Sequence, residues 1–341
     1  MHLFARKPRA VVAAVGITTL FALSACSSGD SEASDSEGGL TPVTMAFEWT
    51  CEGSWAPIYS GLDQGIFEDH GVDLTYDRGQ GGSDTVPLVA AGEFDLGQLS
   101  APPVTIGAGE DLPITVIGAA STVGPVTVLG DPSIQSPEDL EGKSLAVQTD
   151  QFEGAVWEAF VSATGIDGDA VEVIPSDDAT QAEFLSGEID AYVVFYNTAS
   201  TKAILDERPD VSVISMQDYV PTYGHTFVAN DAWLADNGEA ATGFMTAWAE
   251  STKWVIDNYD AALETLTSEC TEVEPEALKF SLDAYLENYQ AGYSAEHGLG
   301  SFSPAGIADT QKVLVDAGLA TEVPVEDFTS TDYLPETPVL P

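Results

Sequence analysis

Residues 48–59 read EWTCEGSWAPIY and bring together two carboxylates (Glu48, Glu52), two indoles (Trp49, Trp55), a phenol (Tyr59) and a thiol (Cys51). Three chemistries use such groups: metal ligation, nucleophilic catalysis, and the capture of a flat ligand against aromatic faces. A metal centre needs converging imidazole, thiolate or carboxylate donors. Beyond His2 the histidines are His70, His225 and His297, far apart in the chain, and no Cys-x-x-Cys pair is present. The sequence therefore points to no metal. It contains no Gly-x-Ser-x-Gly elbow and no Ser or Cys with a neighbouring histidine, so it points to no nucleophile, although partners distant in the chain stay open. Stacking remains, at about 0.5–1.5 kcal/mol per ring pair beyond area burial. Packing is the competing role for Trp49 and Trp55, which both fall on apolar positions, and Tyr59, a turn further on, reads as core.

These residues occupy a strand-to-helix junction. Val43, Met45, Phe47 and Trp49 alternate, which predicts a strand; Trp55, Ile58, Tyr59, Leu62 and Ile66 then recur at helical spacing until His70 and Gly71 supply a stop. VDLTY (72–76) reads as a strand, 77–84 as a loop, 85–92 as a helix and FDLGQLS (94–100) as a strand. A second stretch repeats the logic, with strands over 145–148, 171–174 and 189–197 and helices over 152–165 and 179–187. The helix-to-strand corners match: Gly92-Glu93-Phe94-Asp95 in one stretch, Gly187-Glu188-Ile189-Asp190 in the other. In both, glycine can take the left-handed conformation that ends a helix. Strands alternating with helices imply right-handed crossovers and mainly parallel sheets, an α/β class with two lobes on one plan. PVTVLG (125–130) reads as the strand crossing to the second lobe and HTFVAN (225–230) as the one returning, with helices over 237–258, 275–289 and 304–319. The expected organisation is a discontinuous lobe I (41–125 and 226–341), a lobe II (126–225) and hinge crossings between them.

Ten lysines and arginines face 56 aspartates and glutamates, for a net charge of −46. Such a surface repels nucleic acid and anionic lipid headgroups, and it solubilises the chain at high salt. Three of the ten basic residues, Arg6, Lys7 and Arg9, precede an apolar run from Ala10 to Leu23. That run suits a signal peptide better than a membrane span. It ends in Leu23-Ser24-Ala25-Cys26, which resembles the lipobox of bacterial lipoproteins. The resemblance implies cleavage after residue 25 and lipidation of Cys26. Residues 26–40 are almost free of apolar side chains and read as a flexible spacer. Cys51 and Cys270 are then the two remaining thiols. A bridge between them and two buried free cysteines both fit, and an oxidising exterior favours the bridge.

The lipoprotein start, the two α/β lobes, and the stretches FEDHGVDLTYDRGQGGSDTVPLVAAGEFDLGQLS, SPEDLEGKSLAVQ and GEIDAYVV together resemble the solute-binding proteins of ABC importers. Within them the chain is similar to the branch that handles thiamine-pyrimidine precursors, nitrate, sulfonates and taurine. The pyrimidine-precursor members carry a pattern like D-W-x-P-N-x-x-H-x-x-x-Y; here Glu48, Trp49 and Tyr59 keep register, while Cys51, Glu52 and Trp55 replace the proline, asparagine and histidine. Val220-Pro221-Thr222-Tyr223 and DAGLATEVPVEDFTSTDYLP (316–335) add to the likeness. The resemblance implies a two-lobed, type II periplasmic-binding-protein-like fold. Its implied partners are a small solute, a permease and that permease's ATPase. It further implies a lipid-anchored monomer on the extracytoplasmic face of the cell membrane, without a cofactor and without catalysis.

Ligands of open α/β lobes bind beyond the carboxyl ends of the strands. That places Trp49, Glu52, Trp55, Ser83, Gln98 and Ser100 on one side, and Gln148, Thr149, Asp150, Phe195, Tyr196 and Asn197 on the other, with Tyr223 near the hinge. An aromatic ring stacked there, with Glu52 or Asp150 accepting from its amino groups, makes a flat, nitrogen-bearing solute the expected ligand. The anion reading, nitrate or a sulfonate, would use Arg78 and the Gly-rich loop after it. An enzyme of the pyrimidine-synthase kind would need a cofactor-holding lysine and a cysteine-rich iron motif, neither of which is found. A purely structural lipoprotein would bind no solute.

Overall fold

The computed structural model describes residues 39–341 except 50, 80, 150, 177 and 178. The leader, Cys26 with its spacer up to residue 38, and Asp150 lie outside the described residues. Ten strands follow in chain order: β1 Thr41–Phe47, β2 Val72–Arg78, β3 Leu96–Ser100, β4 Ile114–Ala119, β5 Val126–Gly130, β6 Ser144–Val147, β7 Glu172–Pro175, β8 Ala191–Phe195, β9 Ser212–Ser215 and β10 His225–Asn230. They form two five-stranded sheets, ordered β2-β1-β3-β10-β4 and β7-β6-β8-β5-β9.

Each sheet has four strands running one way and one running against them. β1 is parallel to β2 and β3, whereas β10 is antiparallel to β3 and β4. β6 is parallel to β7 and β8, whereas β5 is antiparallel to β8 and β9. The reversed strands are the two that follow a crossing between the sheets, as the chain passes from β4 to β5 and returns from β9 to β10. Strict βαβ repetition predicts parallel strands throughout; the crossings supply the exceptions.

The repeated corners are built alike. Gly92 and Gly187 both take the left-handed conformation, with φ of 75° and 78°. The aspartate three residues on then braces the sheet. Asp95 accepts from the Thr44 N–H and hydroxyl at 2.8 and 2.7 Å, and Asp190 accepts from those of Ser144 at 2.9 and 3.0 Å. A charge-assisted pair of this kind pins the strand that follows the corner to its neighbour in a fixed register.

Two expected elements end early. β1 stops at Phe47, so Trp49 leaves the buried alternation of Val43, Met45 and Phe47 and stands 52 % exposed. The turn is held by the Gly79 and Gly81 N–H groups, which donate to the carbonyls of Phe47 and Glu48. The helix expected from Trp55 to Ile66 is divided: a 3-10 turn at Gly53–Trp55, a helix at Ala56–Asp63, and a short turn of helix at Ile66–Asp69. Gly65, at φ 72°, breaks it. The helix Ala101–Gly109 and strand β4 escaped the periodicity reading. Pro102 and Pro103 at the helix start, followed by two glycines, mask a segment that is helical because prolines are tolerated in a first turn.

The first sheet packs on an aromatic core: Phe47 lies 4.1 Å from Trp55 between ring centroids, and Phe227 lies 4.9 Å from Trp248 and 5.4 Å from Phe244. Elements from late in the chain also reach the second sheet. Val313, on the helix Pro304–Asp316, joins its core, and Phe280 meets Tyr196 at 5.5 Å.

Cys51 and Cys270 form a disulfide across 219 positions of sequence. Closing so long a loop contributes about 5 kcal/mol on the chain-entropy account. The unreduced protein should weigh less than the reduced one by two hydrogens, and a Cys51→Ala/Cys270→Ala variant should melt several degrees lower by circular dichroism. Equal melting of the two forms would remove the bridge from the energetics of the fold.

Candidate functional site

A cavity of about 640 Å³ lies between the two sheets. Of the residues expected at the site, Trp49, Glu52, Ser83, Ser100, Asn197 and Tyr223 line it. Gln148 and Phe195 line it too. Four other candidates lie elsewhere. Trp55 is fully buried behind the wall, between Phe47 and the His225 ring. Gln98 is fully buried, its Nε2 donating to the Ser54 carbonyl at 3.3 Å. Tyr196 turns to Phe280. Thr149 is exposed beside the cavity without lining it. What separates the two indoles is that β1 ends before one and a helix begins after the other.

Tyr223 lines the cavity but is held from behind. Its hydroxyl accepts from the Ser303 N–H at 3.0 Å, and its own N–H donates to Thr310 Oγ1 at 2.9 Å. A Cβ on Gly306 would lie 2.3 Å from its ring, so glycine is required there.

The lining residues that were not among the candidates include Glu48, His225 and Tyr285. Glu48 was visible as a family-pattern position, but its role depends on His225, 177 residues away. At the end of β1, Glu48 Oε2 accepts from the Ser100 N–H at 2.7 Å, while Oε1 accepts from the Ser100 hydroxyl and, at 3.0 Å, from His225 Nε2. Tyr285 donates its hydroxyl proton to Glu52 Oε1 at 2.9 Å, so towards His225 Nδ1, at 3.3 Å, it can only accept. Both imidazole nitrogens thus face oxygen atoms, an arrangement that favours the protonated ring.

The electrostatics agree. Burial alone would push the His225 imidazole down, but the charge and bond of Glu48, with the charge of Glu52, hold it above its ordinary value. Burial would raise Glu48, yet His225 and Ser100 outweigh it and hold its carboxyl below the ordinary range. Glu52 is raised, chiefly by burial, with His225 and Ser54 only partly offsetting it. The phenol of Tyr285 is pushed well up by burial and by the Glu52 charge.

The floor of the cavity is thus a relay from Glu48 through His225 and Tyr285 to Glu52. Glu52 Oε1 also accepts from the Ser54 hydroxyl at 2.5 Å, while Oε2 makes no hydrogen bond among the described residues. Glu153 adds a third lining carboxylate, and no lysine or arginine lines the cavity among the described residues. Arg78, the candidate for an oxyanion, points away: it meets Glu272 at 2.5 Å and donates to the Tyr59 hydroxyl at 3.2 Å and to the Glu269 carbonyl at 3.3 Å. No cluster of three or more His, Cys, Asp or Glu suited to a metal ion occurs among the described residues.

Two α/β halves around such a cavity define the type II periplasmic-binding-protein fold, and solved structures match it. The periplasmic sulfonate-binding protein SsuA from Methylobacillus flagellatus superposes with a TM-score of 0.68 at 14% identity, over 86% of this chain and 92% of its own. The nitrate-binding protein NrtA from Synechocystis gives 0.61 at 14% identity, over 86% and 87%. The chain belongs to the NMT1/THI5-like family, whose model matches residues 53–262. Among curated relatives, a formylaminopyrimidine-binding protein of Halalkalibacterium halodurans is 26% identical over 263 residues, 74% of this chain and 79% of that protein. A 4-amino-5-hydroxymethyl-2-methylpyrimidine phosphate synthase of Aspergillus parasiticus is 23% identical over 237 residues, 65% of this chain and 69% of its own length.

The ion pair has a pH signature. The folded imidazole binds its proton more tightly than the free value of 6.5. Its contribution to stability is therefore complete below about 6.5 and is lost as pH rises through the folded value. The melting temperature should decline on the alkaline side, and in Glu48→Gln that decline should begin at lower pH. Thermal melts between about pH 5 and 9 measure both curves; identical alkaline limbs would remove the coupling.

Proposed function

We propose that the chain is the extracytoplasmic solute receptor of an ABC importer, capturing a small nitrogen-bearing heteroaromatic nutrient of the pyrimidine-precursor class and presenting it to the permease. One observation carries the choice of solute: an exposed indole, Trp49, stands over a floor where Glu52 keeps a free carboxylate oxygen. The indole face stacks an aromatic ring, and the carboxylate accepts from ring amino or protonated nitrogen groups. The formylaminopyrimidine-binding relative supports this reading, as does the cavity lining without lysine or arginine among the described residues.

In this proposal the halves move about the two crossings, 119–126 and 215–225, closing over the solute. The protein acts as a monomer with the membrane permease and its ATPase. A diacylglyceryl group on Cys26 and the spacer after it keep the receptor near the permease. Binding replaces catalysis: the buried carboxylates and imidazole satisfy one another, which suits a rigid recognition surface. The synthase relative marks the alternative, and turnover of a bound pyrimidine would overturn the receptor reading.

Protein lacking residues 1–25 should be stabilised against heat by a formylaminopyrimidine, and not by nitrate, taurine or an alkanesulfonate. Micromolar affinity corresponds to about 8 kcal/mol. Trp49→Ala should weaken binding by roughly 2- to 12-fold, the worth of one stacked pair, with the melting temperature of the free protein little changed. Titration calorimetry reads the affinity, and an unchanged value would discard the stacking role.

A further inference from the structure

Around Glu48, two helix starts and the His225 imidazolium converge on one point. Ser100 is the N-cap of the helix Ala101–Gly109. Within that helix's first turn, Pro102 and Pro103 have no N–H, and the Ala101 N–H is committed to the Gly224 carbonyl at 2.9 Å. The Ser100 N–H is thus the donor this helix start offers to the cavity, and Glu48 takes it. The helix Gly82–Ala90 begins on the other side of the same carboxylate: a Cβ on Gly82 would lie 2.8 Å from Glu48 Oε2. Helix starts and an imidazolium are the groups with which a protein holds an oxyanion. Here the oxyanion belongs to the chain itself, and both of its oxygens are bonded.

We propose that Glu48 is the specificity-determining residue of the cavity: its carboxylate is a resident anion that fills a seat able to hold an anionic solute. Sulfonates, nitrate and carboxylates are then refused twice over. The cationic seat is occupied, and the Glu52 carboxylate repels what remains. Neutral or cationic rings are admitted, because their donors meet the free oxygen of Glu52. This last step rests on the solute-receptor reading; the occupied seat does not.

The test is replacement of the resident anion by a free one. Glu48 lines the cavity with its side chain 12 % exposed, so Glu48→Ala opens the seat to the cavity and not into a sealed void. In wild-type protein, formate should give no melting shift beyond that of chloride at the same ionic strength. In Glu48→Ala it should give a saturable rise of about 2 °C at tenfold above half-saturation. Taurine or methanesulfonate should bind the variant at least about tenfold more tightly than the wild type, since removing a like charge frees the His225 ring and the Ser100 N–H to face the anion. Equal responses of the two proteins, or a variant indifferent to formate, would overturn the proposal. Where Glu48→Ala does not fold in chloride, its refolding yield in formate becomes the readout: rescue by formate supports the resident anion, and equal yields in the two salts refute it. Wild-type protein that binds no pyrimidine, alongside a formate-rescued variant, would remove the solute reading while keeping the seat.

Discussion

The cavity depends on one desolvated ion pair. Glu48 closes β1 and His225 opens β10, strands that flank β3 in the first sheet, so their bond joins the first strand of the described chain to the strand that returns after the whole second sheet. Each group is too deeply buried to carry charge alone. Together, with Ser100 donating twice and Tyr285 completing the imidazolium, they hold the floor in one arrangement. The placement of Glu52, and with it the polar edge offered to a ligand, follows from Tyr285, whose hydroxyl is oriented by His225. A pair that is costly to break serves here as a register pin more than as a source of net stability.

The sheet plan was largely readable from the residues. Alternation located β1, β2, β3, β5, β6, β7, β8 and β10, and the twin Gly-Glu-x-Asp corners announced that the two stretches share a design. What the corners did not disclose is why aspartate ends both: Asp95 and Asp190 brace Thr44 and Ser144, partners 51 and 46 residues away. Ala101–Gly109 and β4 were lost because proline and glycine in a helix, and a short strand beside them, leave no period to follow.

The site was readable in part, for a physical reason. Local rules place a residue at the end of a strand, and that sufficed for Trp49, Ser83, Ser100 and Asn197. They do not say which way the chain turns one residue later, which is why Trp55 and Gln98 fell behind the wall while Glu48 came to the front. His225 looked like an isolated histidine at a strand start. Its partners are 177 and 60 residues distant, and no spacing rule connects them. An acidic surface and an acidic pocket also look the same in a composition.

The position of β10 bears on how the molecule is made. Because β10 lies inside the first sheet, between β3 and β4, that sheet has a gap until residue 230 is available. A chain made from its amino end leaves the facing edges of β3 and β4 without β10 while more than a hundred residues are added. Unpaired edges recruit other strands. The strands of the second sheet are all available by β9, so that sheet can pair before the first one closes.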